Sequence, residues 1–231
     1  MLRKRLTNPQ QARSRKARKI ILRHFLSPGD VVMLAYAVKA LHEQYPEQYL
    51  TGVQTSCNDI FEGNPYIAPL SPKDPGVEVL DMHYPTIHSS NQKPLHFVNS
   101  FVHYLGQRLN IRLEPTAFQG AIFIREEETL WYSAVYEKLG RDVPYWIINA
   151  GHKNDFTAKA WDFRRYQAIV DCFPDLTFVQ IGHSQHNHPQ LSGPNLINLI
   201  RQTDARQLIL LVYNSFCIIT PVILSMVLGY A

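Results

Sequence analysis

The chain is predicted to be an α/β protein with parallel sheets, and three observations carry that prediction. Short apolar runs alternate with segments whose apolar residues recur at helical spacing. Gly, Pro and Asn punctuate the junctions. The alternation restarts after a break near residue 140, so two successive series imply two parallel-sheet halves with a cleft between them.

Taken in order, Ile20, Ile21, Leu22, His24, Phe25 and Leu26 read as a buried first strand. The turn Ser27-Pro28-Gly29-Asp30 follows, in which Gly29 frees the backbone and Asp30 takes the helix start. Leu34, Val38 and Leu41 then recur on one face of an amphipathic helix. Residues 49–55 form a second strand, and residues 77–82 a third beyond a loop holding Pro65, Pro69, Pro72 and Pro75. Residues 94–109 read as an amphipathic helix through Phe97, Phe101 and Leu105, and residues 126–139 as another. A short linker at 140–144 marks a domain boundary.

The second series opens with the strand Tyr145-Trp146-Ile147-Ile148-Asn149-Ala150. A helix at 161–173, a strand at 177–181, a short strand at 196–200, a helix at 205–213 and a strand at 216–220 follow, and residues 221–231 begin a further helix. The expected organisation is a basic arm over 1–17, one domain over 18–140 and a second over 141–231. A doubly wound domain normally has more strands than the second series supplies, so that domain is expected to be truncated or incomplete.

With 231 residues, 45% hydrophobic and 18% charged, the chain has ordinary globular composition. Cys57, Cys172 and Cys217 lie far apart with no CxxC pair, which argues against a disulfide framework or a cysteine zinc site and fits a reducing compartment. The formal charge of +4 hides an asymmetry: residues 1–23 hold nine Lys or Arg and no acid, leaving the remainder at −5. Such an arm is either a solvated, partly disordered leader or a contact for anionic lipid or nucleic acid. No apolar segment of signal-peptide type follows it. Residues 207–231 carry no charge, but Asn214-Ser215 and Thr220-Pro221 interrupt them where helix, strand and helix would join, so they read as buried α/β structure.

Three constellations could carry chemistry. Asp30 is a helix cap by capping preference, or a general base at the carboxyl end of the first strand, facing the cleft. The loop from Asn149 to Trp161 leads from a strand into a helix; its backbone amides with Lys153 and Lys159 could hold a diphosphate, or it is a surface loop with two solvated lysines. It matches neither the Walker A pattern nor GxGxxG, and no Gly-rich turn follows Leu26, which argues against a dinucleotide enzyme. His183, His186 and His188 invite a zinc reading, but no carboxylate or cysteine lies beside them and they lack i, i+4 helical spacing, so a cleft-lining loop is favoured.

These residues form an ordered pattern. Ser27-Pro28-Gly29-Asp30-Val31-Val32-Met33 with Ala40-Leu41 and Tyr45-Pro46, then Glu62-Gly63-Asn64-Pro65-Tyr66, resembles the opening of glycosyltransferase family 9, the lipopolysaccharide heptosyltransferase family. The later half adds Ile147-Ile148-Asn149-Ala150-Gly151, Lys159-Ala160-Trp161, Phe178-Val179-Gln180-Ile181-Gly182, Asn198-Leu199, Thr203-Asp204 and Gln207-Leu208, so the resemblance spans about 18–231.

The resemblance implies a GT-B-like architecture of two Rossmann-like domains, the first taking the acceptor and the second the nucleotide-sugar donor. It implies an inverting transfer of a sugar, a heptose in these relatives, from a donor such as ADP-heptose to a lipopolysaccharide or other surface-glycan acceptor, with no catalytic metal and no nucleic-acid partner. By position, Asp30 matches the base that deprotonates the acceptor, Gly29 its acceptor-side turn, and Lys159 the lysine on the donor phosphates. Gly151, Lys153, Asn154, Gly182 and His183 are the further donor-binding candidates. The expected location is cytoplasmic, and the charge of the basic arm, not the resemblance, adds peripheral contact with anionic lipid at the inner membrane as a further expectation. Two departures stand out: Val227 takes the place of an expected histidine, and the chain stops before the expected closing strands. They motivate a second expectation, a degenerate relative that binds nucleotide or glycan without turnover.

Overall fold

In the computed structural model, the residues described are 16–83, 86, 92, 94–116, 121–131, 133–151, 160–183, 187–221 and 224–229. The first half forms a three-stranded parallel sheet in the order β2-β1-β3, from β1 (Arg18–His24), β2 (Tyr49–Thr55) and β3 (Val77–Asp81). The second half forms a four-stranded parallel sheet in the order β6-β5-β4-β7, from β4 (Tyr145–Ile148), β5 (Thr177–Gln180), β6 (Leu196–Asn198) and β7 (Cys217–Ile219). The expected α/β alternation is therefore present in both halves. β1 begins and ends two residues earlier than its apolar run, because pairing starts at Arg18 opposite Tyr49; Phe25 and Leu26 lie beyond the strand and are exposed.

Helix α1 (Pro28–Gln44) corrects the expected amphipathic pattern. Every residue from Val31 to Val38 is buried, so the helix is apolar all round. It packs against both α2 (Phe97–Leu109) and α7 (Leu224–Leu228), which leaves the body of the helix no solvent face. By contrast α2 is amphipathic as its pattern predicts, burying Val98, Phe101, Val102, Leu105 and Leu109. The helix predicted over 126–139 divides into α3 (Glu126–Thr129) and α4 (Ala134–Leu139), and Ser133 caps the second by accepting from the Tyr136 amide at 3.1 Å. Helices α5 (Phe163–Cys172) and α6 (Ala205–Tyr213) complete the order, each capped by an aspartate, Asp162 and Asp204.

One core cluster runs through both halves, joining Ile20, Leu34 and Phe101 of the first to Ile147, Val179 and Leu211 of the second. A buried ion pair joins them as well. Arg206 of α6 donates from Nε to Glu128 Oε1 at 2.8 Å and from Nη2 to Glu128 Oε2. The same guanidinium reaches the carbonyls of Asp59 at 3.1 Å and Phe123 at 3.0 Å. No helix among the described residues is long and apolar enough to cross a membrane.

Candidate functional site

The site is assembled from strand ends. Within each parallel sheet the strands present their carboxyl ends on one side; in the first sheet β1 leads there into the Ser27 to Asp30 turn, and in the second β4 and β5 lead there to Gly151 and Gly182. Ser27, and not Asp30, is the N-cap of α1; Pro28 and Gly29 begin the first turn and Asp30 is its third residue. The Asp30 carboxylate folds back onto the cap, its Oδ2 accepting from Ser27 N–H at 3.2 Å and from Ser27 Oγ–H at 2.7 Å. The reading of Asp30 as the cap itself is therefore corrected by three positions: the Ser-x-x-Asp spacing is one half of a capping box, and it fixes the carboxylate rotamer.

Gly29 is corrected too. Its backbone is helical and not left-handed, so conformational freedom is not its reason. A Cβ there would lie 3.9 Å from the Leu224 Cα of α7, an ordinary contact.

Helix α7 connects this turn to the second sheet. Its Ser225 hydroxyl accepts from Asn149 Nδ2 at 3.3 Å and lies 2.7 Å from the Thr220 hydroxyl. Asn149 in turn accepts from the Gly151 amide through Oδ1 at 3.2 Å. Asp30 and Gly151, far apart in sequence, thus stand at two ends of one short structural chain through α7. Val227, at the position of the expected histidine, is buried in the core on the same helix.

Beyond Gly151 opens a cleft of about 550 Å³ lined by Ala150, Trp161, Asp162, Phe163, His188 and Pro189. Trp161 is partly exposed, packs edge-on to Tyr166, and has the Arg165 guanidinium 5.7 Å from its ring centroid. Hydrogen bonds from Arg164 hold the Asp162 carboxyl below the usual carboxylate range. Of the donor-side candidates, Gly151 and Gly182 lie at adjacent strand ends and His183 is exposed beside Gly182; Lys153, Asn154 and Lys159 fall outside the described residues, as does His186. Among the described residues no cluster of three metal-ligating side chains occurs.

Sequence reasoning passed over two residues here. His188 was grouped with its neighbours, yet its imidazole lies against both glycines, and a Cβ on either Gly151 or Gly182 would overlap the ring. Gln180, a polar residue inside an otherwise apolar run, is 0% exposed and ties down the chain next to that histidine. The odd polar residue in the run was the available signal.

No protein-family profile matches the chain, and no curated protein matches it in sequence. Solved structures do match. A glycosyltransferase family 9 structure from Veillonella parvula superposes with a TM-score of 0.69 at 15% identity, covering 92% of this chain and 77% of that one. The Escherichia coli ADP-heptose lipopolysaccharide heptosyltransferase II gives 0.59 at 13% identity over 91% of this chain and 82% of its own. The E. coli heptosyltransferase WaaC, solved with ADP, gives 0.54 at 10% identity over 91% and 84%. At such identities the likeness is one of fold: this chain has the α/β, GT-B-like architecture of glycosyltransferase family 9 structures.

Proposed function

We propose that the chain is an inverting glycosyltransferase, moving a sugar from a nucleotide-diphosphate donor to a hydroxyl of a surface-glycan or glycolipid acceptor. The observation that carries this reading is the connection of the Asp30 turn, through α7, to the Gly151 strand end within a fold shared with glycosyltransferases. In it, Asp30 takes the proton of the acceptor hydroxyl as that oxygen bonds to the anomeric carbon, and the carbon–oxygen bond to the diphosphate breaks on the opposite face. Both cap hydrogen bonds end on Oδ2, so Oδ1 is the oxygen that receives the proton. Negative charge on the departing diphosphate is met by backbone amides at the Gly151 and Gly182 strand ends and by Lys153 and Lys159.

A heptose carried on ADP is the favoured donor, because structural neighbours are described as heptosyltransferases bound to ADP or to an ADP-heptose. No metal is assigned a step. Lipopolysaccharide is the favoured acceptor class, and the basic arm over 1–17 would hold the enzyme on the cytoplasmic face of an anionic membrane. The test is transfer from a panel of nucleotide sugars by the purified chain. Asp30→Ala should abolish transfer and leave the circular dichroism spectrum intact, whereas retained transfer would remove Asp30 from the base role. A second reading, a binder without turnover, draws on the buried apolar Val227; it predicts saturable ADP binding with no transfer from any donor.

A further inference from the structure

Helix α7 is apolar except for one residue. Its sequence Leu224-Ser225-Met226-Val227-Leu228 places Ser225 in the interior, at 2% exposure. A buried hydroxyl costs free energy unless it is bonded, and alanine would occupy the same place without that cost. Ser225 is bonded, and to the ends of two neighbouring strands. Thr220, one residue past β7, donates from Oγ1 to the Pro221 carbonyl at 3.1 Å. Each hydroxyl has one proton, so the 2.7 Å contact between Ser225 and Thr220 holds the Ser225 proton, and a Ser225 lone pair accepts from Asn149 Nδ2 at 3.3 Å. Asn149, one residue past β4, turns its Oδ1 to the Gly151 amide at 3.2 Å. Both hydroxyl protons thus have an acceptor, and the ends of β4 and β7 are clasped to one point on α7.

The same helix meets the first half of the chain. It packs on α1, and the Cα of Leu224, the residue before Ser225, lies 3.9 Å from where a Gly29 Cβ would stand. Asp30 follows Gly29 in that turn, with its carboxylate fixed on Ser27. Successive residues of α7 therefore touch the Asp30 turn and the Gly151 strand end.

We infer that Ser225 is a positioning residue for transfer: it sets the place of the Gly151 strand end relative to Asp30 and, being buried, touches neither ligand. This rests on the glycosyl-transfer reading above and adds to it the residue that registers its two sides. A small displacement of one side leaves each ligand its own contacts but misaligns the acceptor oxygen with the anomeric carbon. The loss then falls on the step in which both take part.

The test is steady-state transfer by the full chain from ADP-heptose to purified lipopolysaccharide, with calorimetric titration of ADP. Wild type, Ser225→Ala and Thr220→Val are compared well below their unfolding midpoints. Thr220→Val breaks the same chain of bonds from a half-buried position, and so gives the answer where Ser225→Ala fails to fold. Turnover should fall about tenfold or more in the folded variants, while ADP affinity and the Michaelis constant for the donor stay within about twofold of wild type. Wild-type turnover in them overturns the inference and leaves the transfer reading standing, with Ser225 a packing residue only. A loss of ADP affinity as large as the loss of turnover overturns it in favour of damage to the donor site. Absence of transfer by the wild-type chain overturns the transfer reading itself and this inference with it.

Discussion

Arg206 and Glu128 form a doubly hydrogen-bonded ion pair closed off from solvent, at 7% and 2% exposure, and the pair bridges the two halves of the chain. Arg125 adds a bond from Nη2 to Glu128 Oε1 at 3.1 Å, and its backbone amide donates to Oε2 at 2.8 Å. The carboxylate therefore gathers donors from α6 and from the cap of α3, while Arg206 also ties down the turn at Asp59.

Removing one partner strands the other in a dry site. Arg206→Met should destabilise the chain by about 3–5 kcal/mol in urea denaturation, the range for breaking a buried pair. Replacing both, as Arg206→Met with Glu128→Leu, should recover much of that, because no uncompensated charge remains.

The same pair predicts an acid-sensitive term in stability. Burial alone pushes the Glu128 carboxyl up, but the Arg206 and Arg125 hydrogen bonds outweigh it and hold the group at about 2. Unfolded, it titrates near ~4.3. A group depressed on folding contributes fully above its unfolded value and loses that contribution as pH falls through its folded one. Stability measured between pH 7 and 2 should therefore hold level down to about 4.3 and then fall by about 3 kcal/mol from this group. The Arg206→Met chain should lack most of this fall.

Gly29 separates folding from function. Its first-turn backbone is helical and a Cβ would meet only ordinary contacts, so Gly29→Ala should leave the unfolding midpoint unchanged or raise stability by about 0.5 kcal/mol. If the acceptor hydroxyl approaches Asp30 across this residue, transfer should fall at least tenfold in the same variant. Normal transfer would place the acceptor elsewhere.

Ser27 holds the Asp30 carboxylate by two bonds. Ser27→Ala should cost about 1 kcal/mol through the weakened cap, measured by thermal or chemical unfolding. It should also lower the turnover rate more than it changes the Michaelis constant, because the base loses its orientation. Ser27→Thr, which keeps a hydroxyl, should restore both.

Binding of the chain to vesicles containing anionic lipid should weaken as salt is raised and with deletion of residues 1–17, where much of the basic excess lies. Co-sedimentation at two ionic strengths reads this directly, and equal binding by the deleted chain would dismiss a membrane role for the arm.

Much of the architecture was legible in the residue order. The apolar stretches Ile20–Leu22, Tyr145–Ile148 and Phe178–Val179 are short, and parallel strands buried on both faces leave that signature. The break in the helix over 126–139 was not legible, since nothing in its period marks the stop between Thr129 and Ser133. Helix α1 misled because periodicity reports a solvent face, and this helix has almost none.

By itself the sequence determined the strand and helix order, the parallel sheets and the two turns at Asp30 and Gly151, because these follow from local period and local turn chemistry. Tertiary structure alone decided which residues meet: Asn149 with Ser225, His188 with two glycines, Glu128 with Arg206. Those contacts join positions up to 78 residues apart. Their partners are selected by packing of whole elements against one another, and no local pattern encodes that choice.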